Sequence, residues 1–209
     1  MAKPRCSLCD KYFTNMHLHL IKCIPRLSTS ELFNDKKKVN NYILKIMPVT
    51  MKKYWLYIAI PSNSTFKQLN SFLIETWMSD DDSHLSMFTC NNKQIKCGTD
   101  NKENSNVKLS TILEVNDVLK YEYDMGFTTC CGVEVIDLVS INNNHIQIIS
   151  QNTSPVYLCS VCNENDSTVI CSNCSDLFCS KCSTNKKHKC RKNIDLFEIY
   201  NSPRFFLCE

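Results

Sequence analysis

Apolar positions are grouped unevenly along the chain, and their spacing predicts most of its elements. Tyr54-Trp55-Leu56-Tyr57-Ile58-Ala59-Ile60 is a β-rich run closed by Pro61. Thr65 stands at the cap position of a helix in which Phe66, Leu69, Phe72, Leu73 and Trp77 recur at helical spacing, so these five are expected in the core. After the acidic turn Asp80-Asp81-Asp82, residues 84–90 predict a strand. Residues 91–106, dominated by Asn, Lys and Asp, predict a polar loop. Residues 109–113 predict a short helix or turn. Residues 118–124 and 133–139 alternate as strands do, and 146–149 add another. The pattern describes an α+β domain, a mostly antiparallel sheet with one main helix.

Composition changes near residues 28 and 152, with the change of pattern at Tyr54 between them, divide the chain into 1–27, 28–53, 54–150 and 151–209. The second segment is polar and basic and reads as a connector. Its apolar piece, 39–47, suits a helix or a strand and ends at Pro48.

The first and last segments carry the chemistry. Fifteen cysteines in a chain without an apolar signal core suggest an intracellular protein with reduced thiols, where Cys-x2-Cys pairs act as metal ligands. The C-terminal order is Cys159-x2-Cys162-x8-Cys171-x2-Cys174-x4-Cys179-x2-Cys182-x5-His188-x1-Cys190, eight donors for two zinc ions. The N-terminal order, Cys6-x2-Cys9-x9-His19-x3-Cys23, makes a Cys-Cys-His-Cys zinc finger. His19 and Cys23 lie one helical turn apart, whereas His17, the competing ligand, does not share that face with Cys23. About three zinc ions are expected, each in a closed four-donor site that suits folding rather than catalysis. Cys90, Cys97, Cys130 and Cys131 lack ligand spacing and read as ordinary thiols. Cys208 needs no ligand role either.

Charge sharpens this picture. The formal net charge of +3 conceals +8 over residues 1–53, −6 over 54–158 and +1 over 159–209. Lys3, Arg5, Lys11, Lys22 and Arg26 lie in or beside the first finger, Lys36, Lys37 and Lys38 in the connector, and Lys186, Lys187, Lys189, Arg191 and Lys192 around the last two ligands. This concentration at the zinc-bearing ends suits contacts to a polyanion. Three glycines argue against glycine-rich phosphate loops, and no apolar run is long enough for a membrane span. His84, beside Asp81 and Asp82, reads as a surface turn rather than a general base, so no catalytic residues are assigned and the protein is not expected to be an enzyme.

Three resemblances add to this reading. The Trp55–Ile60 strand and following helix, then Asp82-Ser83-His84-Leu85-Ser86-Met87-Phe88, Val107-Lys108-Leu109-Ser110 and Leu119-Lys120-Tyr121-Glu122-Tyr123-Asp124-Met125-Gly126, resemble the root-inducing-plasmid open-reading-frame-three-like domain over roughly residues 52–150. That resemblance implies a fold more than an activity. Phe127, Thr128 and Thr129 stand where the family usually has an acid and a tryptophan. The C-terminal cluster resembles a B-box, which implies interleaved pairing: Cys159, Cys162, Cys179 and Cys182 on one ion, Cys171, Cys174, His188 and Cys190 on the other. Sequential pairing of the first four cysteines is the alternative by spacing. The whole layout resembles the microsporidian dormancy factors that sit on idle ribosomes, which implies a cytoplasmic, non-enzymatic binder of structured RNA or a ribonucleoprotein, with ribosomal proteins as further contacts. A ubiquitin-system adaptor is the alternative, and a DNA-binding or transposon-related role stands behind both.

Overall fold

The computed structural model describes residues 3–29, 38–78, 84–98, 105–126, 128–153, 155–171, 174–184 and 196–198, with no side-chain description for 26–29 and 197. A short hairpin, β1 (Arg5–Cys6) and β2 (Lys11–Tyr12), leads into α1 (Met16–Thr29). Seven strands follow: β3 (Val39–Pro48), β4 (Leu56–Pro61), β5 (Ser86–Cys90), β6 (Lys93–Cys97), β7 (Val118–Tyr123), β8 (Thr129–Ile141) and β9 (Gln147–Gln151). Among the described residues they form one sheet in the order β6-β5-β7-β8-β3-β4-β9, and every neighbouring pair is antiparallel. The main helix of this part, α2 (Phe66–Leu73), continues as a π-helical turn over Ile74–Met78. The domain is therefore α+β.

α2 begins where the sequence says it should. Thr65 Oγ1 accepts from the Gln68 amide at 3.2 Å while Gln68 Oε1 accepts from the Thr65 amide at 2.9 Å, so two otherwise orphaned donors are satisfied reciprocally. Replacing Thr65 with alanine should cost about 1 kcal/mol, read as a small loss of unfolding free energy in urea.

Three elements differ from the sequence expectation. Residues 39–48 are no connector: β3 lies between β8 and β4 and pairs with both. Its proline sits at the strand end, where a missing N–H costs least. The stretch 91–106 contains β6, because Asn91 and Asn92 both adopt positive φ, 48° and 64°, the backbone of a two-residue hairpin turn. Ile95 and Cys97 then point inward between polar neighbours. Finally, β8 runs beyond 133–139 at both ends, taking in the buried Thr129, Cys130 and Cys131.

The largest difference concerns the N-terminal finger, which does not merely flank the sheet. All six residues of β4 are buried, the signature of a strand covered on both faces. Tyr42, Leu44, Ile46, Leu56, Ile58 and Ile60 pack with α2 residues Phe66, Leu69 and Leu73, and with Trp77 of the π turn. Ile43, Tyr57, Ala59, Val139, Ile141 and Ile149 face the other way and pack with Met16, Leu20, Cys23 and Ile24 of α1. The finger thus forms the third layer. Its first strand is tied to the β9 edge by Ser7 N–H to the Ile149 carbonyl at 2.8 Å and by the Ser150 hydroxyl to the Arg5 carbonyl at 2.7 Å.

The C-terminal part contains β10 (Val169–Cys171), β11 (Leu177–Phe178), α3 (Ser180–Thr184) and β12 (Leu196–Glu198), with strand order β11-β10-β12. No helix among the described residues is long and apolar enough to cross a membrane.

Candidate metal centres

Asn15 caps α1 by accepting from the Leu18 amide at 3.1 Å, which fixes where the helix starts and hence which residues face the hairpin. One turn further on, His19 and Cys23 meet Cys6 and Cys9. The four donor atoms lie within 4.8 Å of one another, with Cys9 Sγ 3.4 Å from His19 Nε2. The Phe13 ring stacks on His19 at 3.5 Å between centroids and 12° between planes, holding the imidazole edge toward the sulfurs. His17 takes no part: its Nδ1 lies 3.1 Å from the Tyr57 hydroxyl.

A second cluster joins Cys159, Cys162, Cys179 and Cys182, whose sulfurs also lie within 4.8 Å of one another. The geometry therefore brings together the first and third cysteine pairs, skipping the second, as interleaved pairing requires. Cys171 is buried and Cys174 exposed, while their expected partners His188 and Cys190 lie outside the described residues.

The backbone explains why these pairs converge. Asp10 N–H donates to the Cys6 carbonyl, Asn163 N–H to that of Cys159 and Ser175 N–H to that of Cys171, each at 2.9 Å. The three donor residues have φ of 58°, 55° and 57°. The Cys-x2-Cys segments at Cys6 and Cys159 are thus tight turns closed by a left-handed residue after the second cysteine, and Ser175 after Cys174 repeats that bond and backbone, whereas Cys179-x2-Cys182 runs into α3. Asp, Asn and Ser are short polar side chains, and the first two tolerate that conformation well.

Crowded thiols resist ionisation unless something compensates their charge. Burial first, then the neighbouring Cys6 and Cys9, pushes the Cys23 thiol up to about 12, and burial also raises Cys6. In the second cluster, amide hydrogen bonds from Glu164 and Asn165 hold Cys162 down to about 6. Burial opposes ionisation of Cys159, but the Cys162, Cys179 and Val161 amides together outweigh it and the thiol is lowered. Desolvation and hydrogen bonds to the Cys179 and Cys159 sulfurs push Cys182 up to about 12. Both donor sets, one with an imidazole and one all-sulfur, could hold a metal ion, and their chemistry suits a soft tetrahedral cation. Because raised thiols must lose protons to ligate, metal affinity at the N-terminal set should rise with pH. Competition against a chromophoric chelator between about pH 6 and 8 measures this, and a flat profile would contradict it.

Around the first cluster, Lys3, Lys11 and Lys22 are exposed, as is Lys38 before β3. Arg5 is ion-paired with Asp10, so its charge is partly spent within the turn. The Arg26 side chain, Lys36, Lys37, Lys186, Lys187, Lys189, Arg191 and Lys192 lie outside the described residues, as do the Asp80–Asp82 turn and Cys208. Cys90, Cys97, Cys130 and Cys131 are all buried, and burial pushes Cys97 up to about 12. His84 Nδ1 stands 3.7 Å from Asp124 Oδ1 and its ring meets Tyr123 edge-on.

Sequence reasoning missed three exposed apolar residues and a groove. Tyr12, Leu18 and Ile21 are 62%, 57% and 49% exposed on the finger, and two apolar residues on the polar face of α1 were the available signal. A groove of about 460 Å³ runs where the finger, the approach to β4 and the segment after β9 meet. It is lined by Lys3, Thr14, Lys53, Trp55, Asn152 and Val156 among others.

Comparison with known proteins gives two findings. The family model described as plasmid pRiA4b ORF-3-like protein matches residues 42–150, which brings most of β3 into the domain. A crystal structure of a protein of unknown function from Methanosarcina mazei Go1 is similar at 22% identity and a TM-score of 0.45, over 55% of this chain and 68% of that one. No curated protein matches the chain.

Proposed function

The chain belongs to the plasmid pRiA4b ORF-3-like family, and from that premise we propose that it is a cytoplasmic, non-enzymatic, zinc-stabilised protein that binds structured RNA in a ribonucleoprotein. The ribosome is the intended surface, in the manner of a dormancy or hibernation factor, with ribosomal proteins as neighbours. The observation that carries this reading is the threefold recurrence of one Cys-x2-Cys turn, at Cys6, Cys159 and Cys171. Three such turns imply three zinc ions: one on Cys6, Cys9, His19 and Cys23, one on Cys159, Cys162, Cys179 and Cys182, and one on Cys171 and Cys174 with His188 and Cys190. Closed sites of this kind supply folding energy and hold nearby surface residues rigid. At the first site those residues are Lys3, Lys11 and Lys22, point charges suited to phosphates.

Elemental analysis should return about three zinc ions per chain, and a count of one or none would sink the architecture. The function is tested by sedimentation. The protein should travel with ribosomes at low salt and leave them as salt rises, and its absence from the ribosomal fraction of a native lysate would defeat the reading.

A second reading is favoured by one observation. Tyr12, Leu18 and Ile21 are exposed apolar side chains on the finger, of the kind a ubiquitin-system adaptor would need. Titrating ubiquitin should then shift signals at these three residues, and an unchanged spectrum at millimolar ubiquitin would dispose of it. The DNA-binding alternative differs from both in demanding duplex affinity without ribosomes.

A further inference from the structure

The groove between the finger and the β9 edge has the parts of a site for single-stranded nucleic acid. Its lining combines two exposed ammonium groups, Lys3 and Lys53, with the half-buried indole of Trp55, and contains no carboxylate among the described residues. A volume of about 460 Å³ is of the size that holds one small ligand moiety, such as a nucleotide.

The main chain of Trp55 is pinned to Asn152, and its indole packs on Tyr57. The backbone N–H of Trp55 donates to Asn152 Oδ1 at 3.0 Å, and the backbone carbonyl accepts from the Asn152 N–H at 3.1 Å. The indole meets Tyr57 edge-on at 5.6 Å, and the Tyr57 hydroxyl in turn lies 3.1 Å from His17 Nδ1 on α1. Lys53 is likewise restrained, with Nζ 5.2 Å from the centroid of the Tyr157 ring. A stacking surface beside ammonium groups is what base-unspecific binding of a single strand requires. The ring takes any base, and the ammonium groups take the phosphates on either side.

We infer that this groove receives an unpaired RNA nucleotide, its base stacked on Trp55 and its phosphates met by Lys3 and Lys53. The inference rests on the RNA-binding reading and deepens it, assigning the contact to single-stranded rather than helical RNA. Because Lys3 and Thr14 come from the finger, the groove is complete only when the first metal cluster is formed.

Intrinsic fluorescence tests this directly. Of the two tryptophans, Trp77 is fully buried, so a change on adding ligand reports Trp55. Adding a uridine hexanucleotide to the full-length zinc-loaded protein should quench the emission saturably, and a chelator that strips the first site should abolish the effect. Lys53→Gln, at an exposed position that should not disturb folding, should weaken the apparent affinity about tenfold and reduce the salt slope by about one. Quenching by a glutamate hexapeptide as strong as by the RNA would identify an acidic-peptide groove and overturn the inference. Absence of quenching by the RNA would overturn it too. In that last case, continued co-sedimentation with ribosomes would leave the broader function standing, whereas loss of both would remove the reading on which the inference rests.

Discussion

Replacing Cys23 with serine should lower the unfolding midpoint by about 10–15 °C, an effect far beyond the reach of a small detached finger. Cys23 is both one of the four donors that could hold a metal ion and part of the second core, where it packs with Leu20 and Ile24 against Ile43, Tyr57 and Ile149. Loss of a metal bound at that cluster would free α1 and so uncover one face of β3, β4 and β9. Each large apolar side chain returned to water costs about 1.5–3 kcal/mol, although a partly collapsed layer would recover some of this. A net loss of about 4 kcal/mol in a chain of this size corresponds to the stated shift. The control is Cys182→Ser, which breaks the C-terminal cluster and contacts neither core of the sheet. Its effect on amide exchange in β4 and β9 should be small, while Cys23→Ser should speed exchange there strongly. Equal effects from the two variants would mean that the finger contributes nothing to the sheet. Stripping zinc with a chelator should reproduce the Cys23→Ser pattern in the intact protein.

This coupling explains what could and could not be read along the chain. Candidate metal ligands announce themselves because a tight turn and a helical step impose fixed spacing, so the convergence of Cys6, Cys9, His19 and Cys23 was legible, and His19 was separable from His17. The pairing in the C-terminal cluster was open by spacing alone, which allows two arrangements; the B-box resemblance implied the one in which the fold joins Cys159 to Cys179. The main helix was visible from Thr65 and five apolar positions at helical spacing. β6 was hidden because only Ile95 and Cys97 face inward among polar residues, and its turn is Asn91-Asn92, without the glycine that usually marks a hairpin. β3 was left open between helix and strand for the opposite reason. Residues 41–44 are buried on both faces, so the run lacks the alternation that distinguishes a half-exposed strand. The same unbroken burial in β4 was the available clue that something covers the second face. What covers it is the finger, and a sequence pattern cannot name a partner element.

Asn70→Leu should be the most damaging change within the first core, costing about 2–5 kcal/mol and read as a lower denaturant midpoint at unchanged slope. Asn70 is buried on α2, and its Oδ1 accepts from the Ser86 hydroxyl at 2.6 Å and from the Tyr121 hydroxyl at 2.9 Å. One side-chain oxygen therefore ties the helix to the adjacent strands β5 and β7, in surroundings that hold the Tyr121 hydroxyl well above its ordinary ionisation range, by burial first. Leucine fills similar space but leaves both hydroxyls seeking an acceptor. Ser86 can fall back on the Cys97 carbonyl at 3.4 Å, a weak bond, while Tyr121 loses its acceptor on the helix. Each buried hydroxyl left unmade costs about 1–3 kcal/mol. If that is the cause, removing the orphaned group should repair part of the damage. The double variant with Tyr121→Phe should be more stable than Asn70→Leu alone by about 1 kcal/mol or more, although Tyr121→Phe by itself destabilises the parent. A double variant no more stable than the single would place the cost in packing instead. Far from any metal ligand, this network should respond identically in zinc-loaded and chelated protein, which separates the two cores of the sheet experimentally.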